Sequence, residues 1–472
     1  MKYETVIGLE VHCELSTKSK IFCGCTTKFG GAPNTHVCPG CAGFPGTLPV
    51  LNKSVVEYAL RAGLALNCDI NRVNGFERKH YFYPDLPAAY QVTQFFKPVC
   101  VNGWVELAGG KRVNIKQIHM EEDAGKLVHD DWEDASLADQ NRCSMPLLEI
   151  VSQPDMRSAE EAIDYLERLK AILEYTGVSD CKMQEGSIRA DINISVRPAG
   201  ETKLGVRTEM KNINSLRSIA RAIAFESARH IEAIEEGLPL VQETRRWDDE
   251  VGESYAMREK ENAADYRYFP DPNLPPVVIT EEEIELARKN LPELPEAKKR
   301  RYVEELGLPE YDTGIITGSA HLVRLFERTH AICGDAKKSA NWVMGEVLRL
   351  LQQTQTLPED MAFDMDSLGK VIGLVQKNIV NRGTAKKIFA EVFTNNVDPE
   401  AYVKENNLAL VTDSSAIRAT IEQVLAANEK SVNEYKGGKA QALQYLIGQS
   451  MRALKGQAPA QEVTAVLKEL LG

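Results

Sequence analysis

Cys23-Gly-Cys25 and, after twelve intervening residues, Cys38-Pro-Gly-Cys41 supply two close pairs of thiols. Four sulfurs so spaced match tetrahedral zinc coordination, and closing on one ion forces the chain between them into a compact loop. The Cys-Pro-Gly-Cys turn aims two sulfurs at one point. Cys23, Cys25, Cys38 and Cys41 therefore read as a structural zinc site, with four free thiols in an irregular loop as the other reading. Just upstream, Ile7, Leu9, Val11, Cys13 and Leu15 alternate with Gly8, Glu10, His12 and Glu14. A period of two is that of a half-buried strand with one apolar and one polar face. Cysteines 13, 68, 100, 143, 181 and 333 show no pairing pattern and are expected in the core.

The same alternation returns at Ile188–Arg197, where Ile188, Ala190, Ile192, Ile194 and Val196 face one way and Arg189, Asp191, Asn193, Ser195 and Arg197 the other. Across the turn at 198–203, Arg207, Glu209 and Lys211 continue an ionic face, so an antiparallel hairpin is expected. Ser158-Ala-Glu-Glu161 has the form of a capping box. It opens a helix with Ile163, Leu166, Leu169, Ile172 and Leu173 on one face. A second helix runs from about Ser215 to Glu236, with Leu216, Ile219, Ile223, Ile231 and Ile234 apolar, and ends at Gly237-Leu-Pro239. Four prolines in Pro270–Pro276 exclude regular structure there. Beyond about residue 295 helical periodicity takes over. The fold class is α+β, with boundaries near residues 292 and 400.

At 472 residues, 43 % apolar and 26 % charged, the composition is that of a globular chain of roughly three domains. No apolar run of transmembrane length occurs, and Met1-Lys2-Tyr3-Glu4-Thr5 runs straight into the strand pattern. A cytoplasmic protein with reduced thiols and no membrane partner is expected. The net charge of −12 argues against a purely electrostatic grip on nucleic acid. Residues 401–472, with eight Lys/Arg against seven Asp/Glu, repel a polyanion least.

Residues two apart on a strand point the same way, about 7 Å apart, so Glu10 and His12 can converge on one cation. Glu121 and Glu122 in His119–Gly125, Glu149, Asp191 and Glu209 add carboxylates. Carboxylates with one imidazole suit Mg²⁺. Lys79, Arg189, Arg207 and Lys211 could neutralise phosphate oxygens beside it. One such strand alone reads as a solvated sheet face; three, with both signs of charge, read as a site. No G-x₄-G-K-[ST] loop and no G-x-S-x-G elbow occurs, which excludes P-loop handling of ATP and Ser-based amide hydrolysis.

Five long, irregular segments carry a resemblance: Tyr3–His12, Arg78-Lys-His-Tyr-Phe-Tyr-Pro-Asp85, His119-Met-Glu-Glu-Asp-Ala-Gly-Lys126, Asp265-Tyr-Arg-Tyr-Phe-Pro270 and Tyr435-Lys-Gly-Gly-Lys439, with Glu243-Thr-Arg-Arg246 also fitting. The sequence resembles, over essentially its whole length, the B-subunit family of bacterial glutamine-dependent aspartyl/glutamyl-tRNA amidotransferases. The resemblance implies a cradle domain of the glutamine synthetase/guanidino kinase type with an antiparallel sheet over residues 1–292. A helical linker over 293–400 and a small YqeY-like helical tail over 401–472 would follow.

It also implies an ATP- and Mg²⁺-dependent ligase. The side-chain carboxylate of glutamate mischarged on tRNA(Gln), or aspartate on tRNA(Asn), is phosphorylated, and ammonia displaces the phosphate. A separate amidase-type A subunit supplies the ammonia, and a small C subunit clasps the two. The family's Mg²⁺ ligands map onto Glu10, His12 and Glu122, with Glu121, Glu149, Asp191 and Glu209 as neighbours. Lys79 maps to the mouth of the ammonia channel. The zinc quartet belongs to only some members. The tail is expected to meet tRNA through Lys430, Lys436, Lys439, Arg452 and Lys455. The alternatives are a non-catalytic tRNA-binding adaptor and a metal-dependent hydrolase working without ATP.

Overall fold

The alternation at residues 5–15 becomes the strand Tyr3–Glu14, the central member of a nine-stranded sheet. On one side of it lie Ile188–Pro198, Thr208–Lys211, Glu243–Asp248 and Glu253–Glu259; on the other lie Pro146–Ser152, Arg112–Glu122, Cys100–Glu106 and Asp69–Ile70. This computed structural model describes residues 2–130, 135–259, 265–410, 414–454 and 457–472, and it divides into two units, Met1–Ala297 and Lys298–Gly472.

The register assigns every side chain of the central strands to a face. Val11 lies opposite Ile150 and Ala190, and Leu9 opposite Ile192. These residues join Ile118, Met120 and Leu148 in one buried cluster, covered by the helices Lys53–Ala65, Ala159–Tyr175 and Leu216–Glu236. Each such side chain contributes about 1.5–3 kcal/mol on burial. The neighbouring positions must then point to the other face, which is the ionic one. The hairpin of Ile188–Pro198 and Thr208–Lys211 is antiparallel, as expected. Thr208–Lys211 pairs with Glu243–Asp248 in parallel, because the helix Leu216–Glu236 carries the chain back across the sheet between them.

Ser158 caps its helix by accepting the Glu161 N–H, but the Glu161 carboxylate takes the Arg157 N–H and the Lys111 ammonium, leaving the capping box half-made. A complete box stands instead at Thr280 and Glu283. Ser215 and Gly237 cap the Leu216–Glu236 helix, with Gly237 at φ +70°. Of the apolar residues in its second half, Ile231 is half-buried and Ile234 is 37 % exposed. That stretch turns Glu226 and His230 inward. Pro270 pairs opposite Glu77 in a two-residue edge strand, where its missing N–H faces no partner.

Glu226 is fully buried and held by Arg229 (2.6 Å), His230 (3.2 Å), Arg245 (3.8 Å) and the Ser254 hydroxyl (3.2 Å). Burial raises its pKa, but the His230 and Arg229 contacts outweigh burial and set it at about 2.

The second unit is helical throughout its described residues. Its last four helices, Ser414–Ala427, Glu429–Lys436, Ala440–Ala453 and Ala460–Leu471, close around Ile417, Ile421, Leu446, Val463, Leu467 and Leu471. The turn after Lys436 needs a left-handed residue, and Gly438 at φ +94° supplies it.

A carboxylate held below its unfolded pKa stabilises the fold above that pKa, and the contribution is lost as pH falls through the folded value. E226Q is therefore expected to cost on the order of 3 kcal/mol at pH 7, since Arg229 and Arg245 lose one of the two buried carboxylates they share and keep Glu243 alone. In urea titrations of the two proteins, the gap narrows as pH falls from 4.5 towards about 2. A gap independent of pH contradicts the assignment.

Candidate active site

Cross-strand pairing builds the ionic face row by row. Glu10 stands opposite Asp191, and Asn193 opposite Glu209. One step along, His12 stands opposite both Arg189 and Glu149, and Glu149 opposite His119. Glu121, two residues beyond His119, shares its face. Two donor groups result, Glu10–Asp191–Glu209 and His12–Glu121–Glu149, and in each the possible ligand atoms lie within 4.8 Å of one another.

In the second group, His12 Nε2 lies 3.5 Å from both Glu121 and Glu149, while His119 Nε2 lies 2.7 Å from Glu149 and its Nδ1–H donates to the Gln94 carbonyl (2.7 Å). Burial pulls both imidazoles down. The hydrogen bond and charge of Glu149, with the charge of Glu121, prevail and lift each to about 9. Glu149 resists burial in turn and stays well below the carboxylate range because of His119 and His12. Glu121 is raised by burial and by Glu149, against His12, His119 and Lys79. The Thr93 hydroxyl donates to it at 3.1 Å. In the first group, Asn193 donates to Glu10 (3.0 Å), and the Lys211 ammonium pairs with Asp191 and with Glu209 (3.4 Å). Burial lowers Lys211, but those two carboxylates keep it raised.

Basic groups rim the face. Arg189 reaches Asp123 at 2.7 Å, beside Glu14, whose carboxyl is pushed to about 7 by burial and then by Asp123. Lys79 Nζ lies 4.8 Å from the Tyr266 ring centre and 5.4 Å from that of Tyr81. Arg207 precedes the Thr208–Lys211 strand and joins none of these ion pairs.

Glu122 does not join Glu10 and His12. Adjacent strand residues face opposite ways, so Glu122 points to the core side, where it accepts from the Val92 N–H (2.9 Å) and Ser144 hydroxyl (2.6 Å). Burial raises it to about 7 against those two bonds. It lines a cavity of about 290 Å³ with Phe22, Cys41, Arg78, Leu86 and Tyr90. The residue sequence reasoning left out is His119. Its position two before Glu121 was the available signal, since period two puts 119 and 121 on one face and 122 on the other.

The four cysteine sulfurs also lie within 4.8 Å of one another, with Cys41 Sγ 4.0 Å from Cys25 and 3.9 Å from Cys38. Zn–S bonds of about 2.3 Å in a tetrahedron set sulfurs about 3.8 Å apart, so the quartet fits zinc with no position left open. In the second unit, Lys430, Lys436, Lys439 and Arg452 are exposed, with Lys439 3.6 Å from Glu434. Lys455 lies outside the described residues.

The sheet face thus carries two donor groups that could hold a cation, with basic residues beside them. A family model described as the GatB/GatE catalytic domain matches residues 5–285, and one described as the GatB domain matches 324–471. The chain is 55 % identical over 472 residues, 99 % of each sequence, to the B subunit of the aspartyl/glutamyl-tRNA(Asn/Gln) amidotransferase of Lachnoclostridium phytofermentans. It is 54 % identical over 99 % of each to that of Lachnospira eligens, and 53 % identical to that of Caldicellulosiruptor bescii, covering 100 % of this chain and 99 % of the relative. The chain belongs to the family of aspartyl/glutamyl-tRNA(Asn/Gln) amidotransferase B subunits. The α+β first unit and the helical end of the chain match the domains of that family.

Raised imidazole pKa values stabilise the fold fully below the unfolded 6.5, and the effect is lost as pH rises through about 9. Histidine NMR of the metal-free chain should show two imidazoles titrating near 9. E149Q should lower both, since it removes the hydrogen bond and charge that do most to offset burial and leaves Glu121. Imidazoles unmoved by E149Q contradict the pairing.

Proposed function

We propose that the chain is the catalytic B subunit of a glutamine-dependent tRNA amidotransferase, a carbon–nitrogen ligase. It would phosphorylate the side-chain carboxylate of glutamate on tRNA(Gln) or aspartate on tRNA(Asn) with ATP and pass the acyl phosphate to ammonia. The observation that carries this reading is the pair of cation-type donor groups on one sheet face of the domain matched to a catalytic family. A carboxylate is inert to ammonia. Once a carboxylate oxygen attacks the γ-phosphorus and ADP leaves, ammonia adds to the carbonyl carbon, the C–O bond to phosphate breaks, and the nitrogen sheds a proton as the amide forms.

Glu10, Asp191 and Glu209 would hold one Mg²⁺, and His12, Glu121 and Glu149 another. Bound there, Mg²⁺ supplies charge neutralisation for the transferring phosphoryl group. Arg189, Arg207 and Lys211 would orient phosphate oxygens. Lys79, between two tyrosine rings, adds a positive charge that favours neutral ammonia over ammonium at the entrance to the face. The core-side carboxyl of Glu122 lies outside either donor group and is assigned no ligand role in this scheme. The Cys quartet would hold structural zinc.

The names of the relatives support a complex with further subunits, for which an amidase-type A subunit and a small C subunit are the natural partners. The segment 293–400 would link the cradle to a tail, 401–472, whose exposed Lys430, Lys436, Lys439 and Arg452 meet tRNA phosphates. The setting would be the cytoplasm; no helix of the described residues is long and apolar enough to cross a membrane.

E10Q in the reconstituted three-subunit complex, given ATP, mischarged Glu-tRNA(Gln) and ammonium chloride, should lose roughly 10²-fold or more of both ATP cleavage and amide formation. Its tRNA binding should persist. Normal turnover would move the adaptor reading ahead. Replacing Lys430, Lys436, Lys439 and Arg452 by Ala should weaken tRNA binding and flatten its salt dependence by about one unit of slope per lost phosphate contact. An unchanged slope removes the tail from the RNA interface.

A further inference from the structure

Lys20 lies between the first strand and the cysteine loop and is 0 % exposed. Its Nζ stands 3.6 Å from Cys41 Sγ and donates to the Gln140 carbonyl at 3.3 Å. No carboxylate among the described residues pairs with it. An ammonium taken out of water costs several kcal/mol unless an anion faces it. A carbonyl dipole alone offsets little of that.

Four thiolates around Zn²⁺ carry two net negative charges, an uncomfortable surplus beside a hydrophobic core. We propose that the Lys20 ammonium is the built-in counter-ion of this tetrathiolate centre and fastens it to the segment 140–144. The inference rests on the zinc reading above. The fastening is visible in the surrounding bonds. The Lys20 N–H donates to the Cys25 carbonyl (2.9 Å), and the Cys143 thiol to the Cys41 carbonyl (3.2 Å). The Ile21 N–H donates to the Ser144 carbonyl (3.1 Å), while the Ser144 hydroxyl grips Glu122. Lys20 thus sits where the cysteine loop, the 140–144 segment and the core side of the catalytic sheet meet. A neutral side chain of the same length would fill the space and leave the centre's charge unanswered.

The test compares the full chain, K20M and K20R, each loaded with zinc. Zinc content is measured first, then the rate of zinc loss to a chromogenic chelator and the rate of Cys41 alkylation by iodoacetamide. K20M is expected to lose zinc about 10–100-fold faster, the range seen when a group supporting a metal ligand is removed. Its Cys41 should alkylate correspondingly faster, and K20R should stay close to wild type. The sign of the stability change separates charge from packing. Loaded K20M should melt below loaded wild type, whereas zinc-free K20M should melt at or above zinc-free wild type, because there the lysine is an unpaired buried charge.

Equal zinc loss and alkylation in wild type and K20M overturn the counter-ion role and leave the zinc reading standing. A wild-type chain that neither carries nor takes up zinc overturns the zinc reading itself. If K20M does not fold, wild type decides by amine acylation with acetic anhydride. Lys20 protected with zinc and modified after chelation supports the role, and equal modification in both states overturns it.

Discussion

Antiparallel register around the strand Tyr3–Glu14 is the constraint on which the rest depends. Side chains alternate with a period of two, so slipping one neighbour by a single residue would bury its carboxylates and expose its isoleucines. Because Val11 is pinned between Ile150 and Ala190 in the core, His12 has to meet Glu149 and Arg189 on the other face. Glu10 likewise has to meet Asp191. Apolar burial therefore sets the spacing of the ionic groups. The same hydrophobic energy that folds the first unit holds the site's geometry before any ligand arrives.

That face gathers more like charge than an isolated protein would favour. The Lys211 ammonium pairs with Asp191 and Glu209 beside Glu10, and Glu121 and Glu149 share two imidazoles. Without a cation the imbalance shows as displaced protonation, with His12 and His119 held as imidazolium and Glu121 raised. Divalent cations between the carboxylates would relieve the repulsion and release the proton from His12, a coupling common to metal sites.

Much of this was legible in the sequence wherever one periodicity governed. The strands at Thr5–Leu15 and Ile188–Arg197, the Ser158 N-cap without the second half of its box, the Gly237 C-cap and the clustering of the four cysteines follow from local chemistry, and the structure has them. The resemblance and the comparisons agree on the family. What escaped was decided by partners far along the chain. Glu121 and Glu122 cannot be ranked until one knows which face of Arg112–Glu122 meets the core. The inward turn of Glu226 and His230 in place of Ile231 and Ile234 depends on Arg245 and Ser254, which arrive from later strands. Nothing local in the sequence marks Lys20, which the folded loop encloses completely.

The most direct measurement is a crystal of the complex soaked with Mn²⁺ and a non-hydrolysable ATP analogue, with the metal located by its anomalous signal. The account predicts two peaks, one among Glu10, Asp191 and Glu209 and one among His12, Glu121 and Glu149, with the phosphates between them and Arg189 or Lys211. Metal bound through Glu122 on the core side, or none on the ionic face, would contradict it.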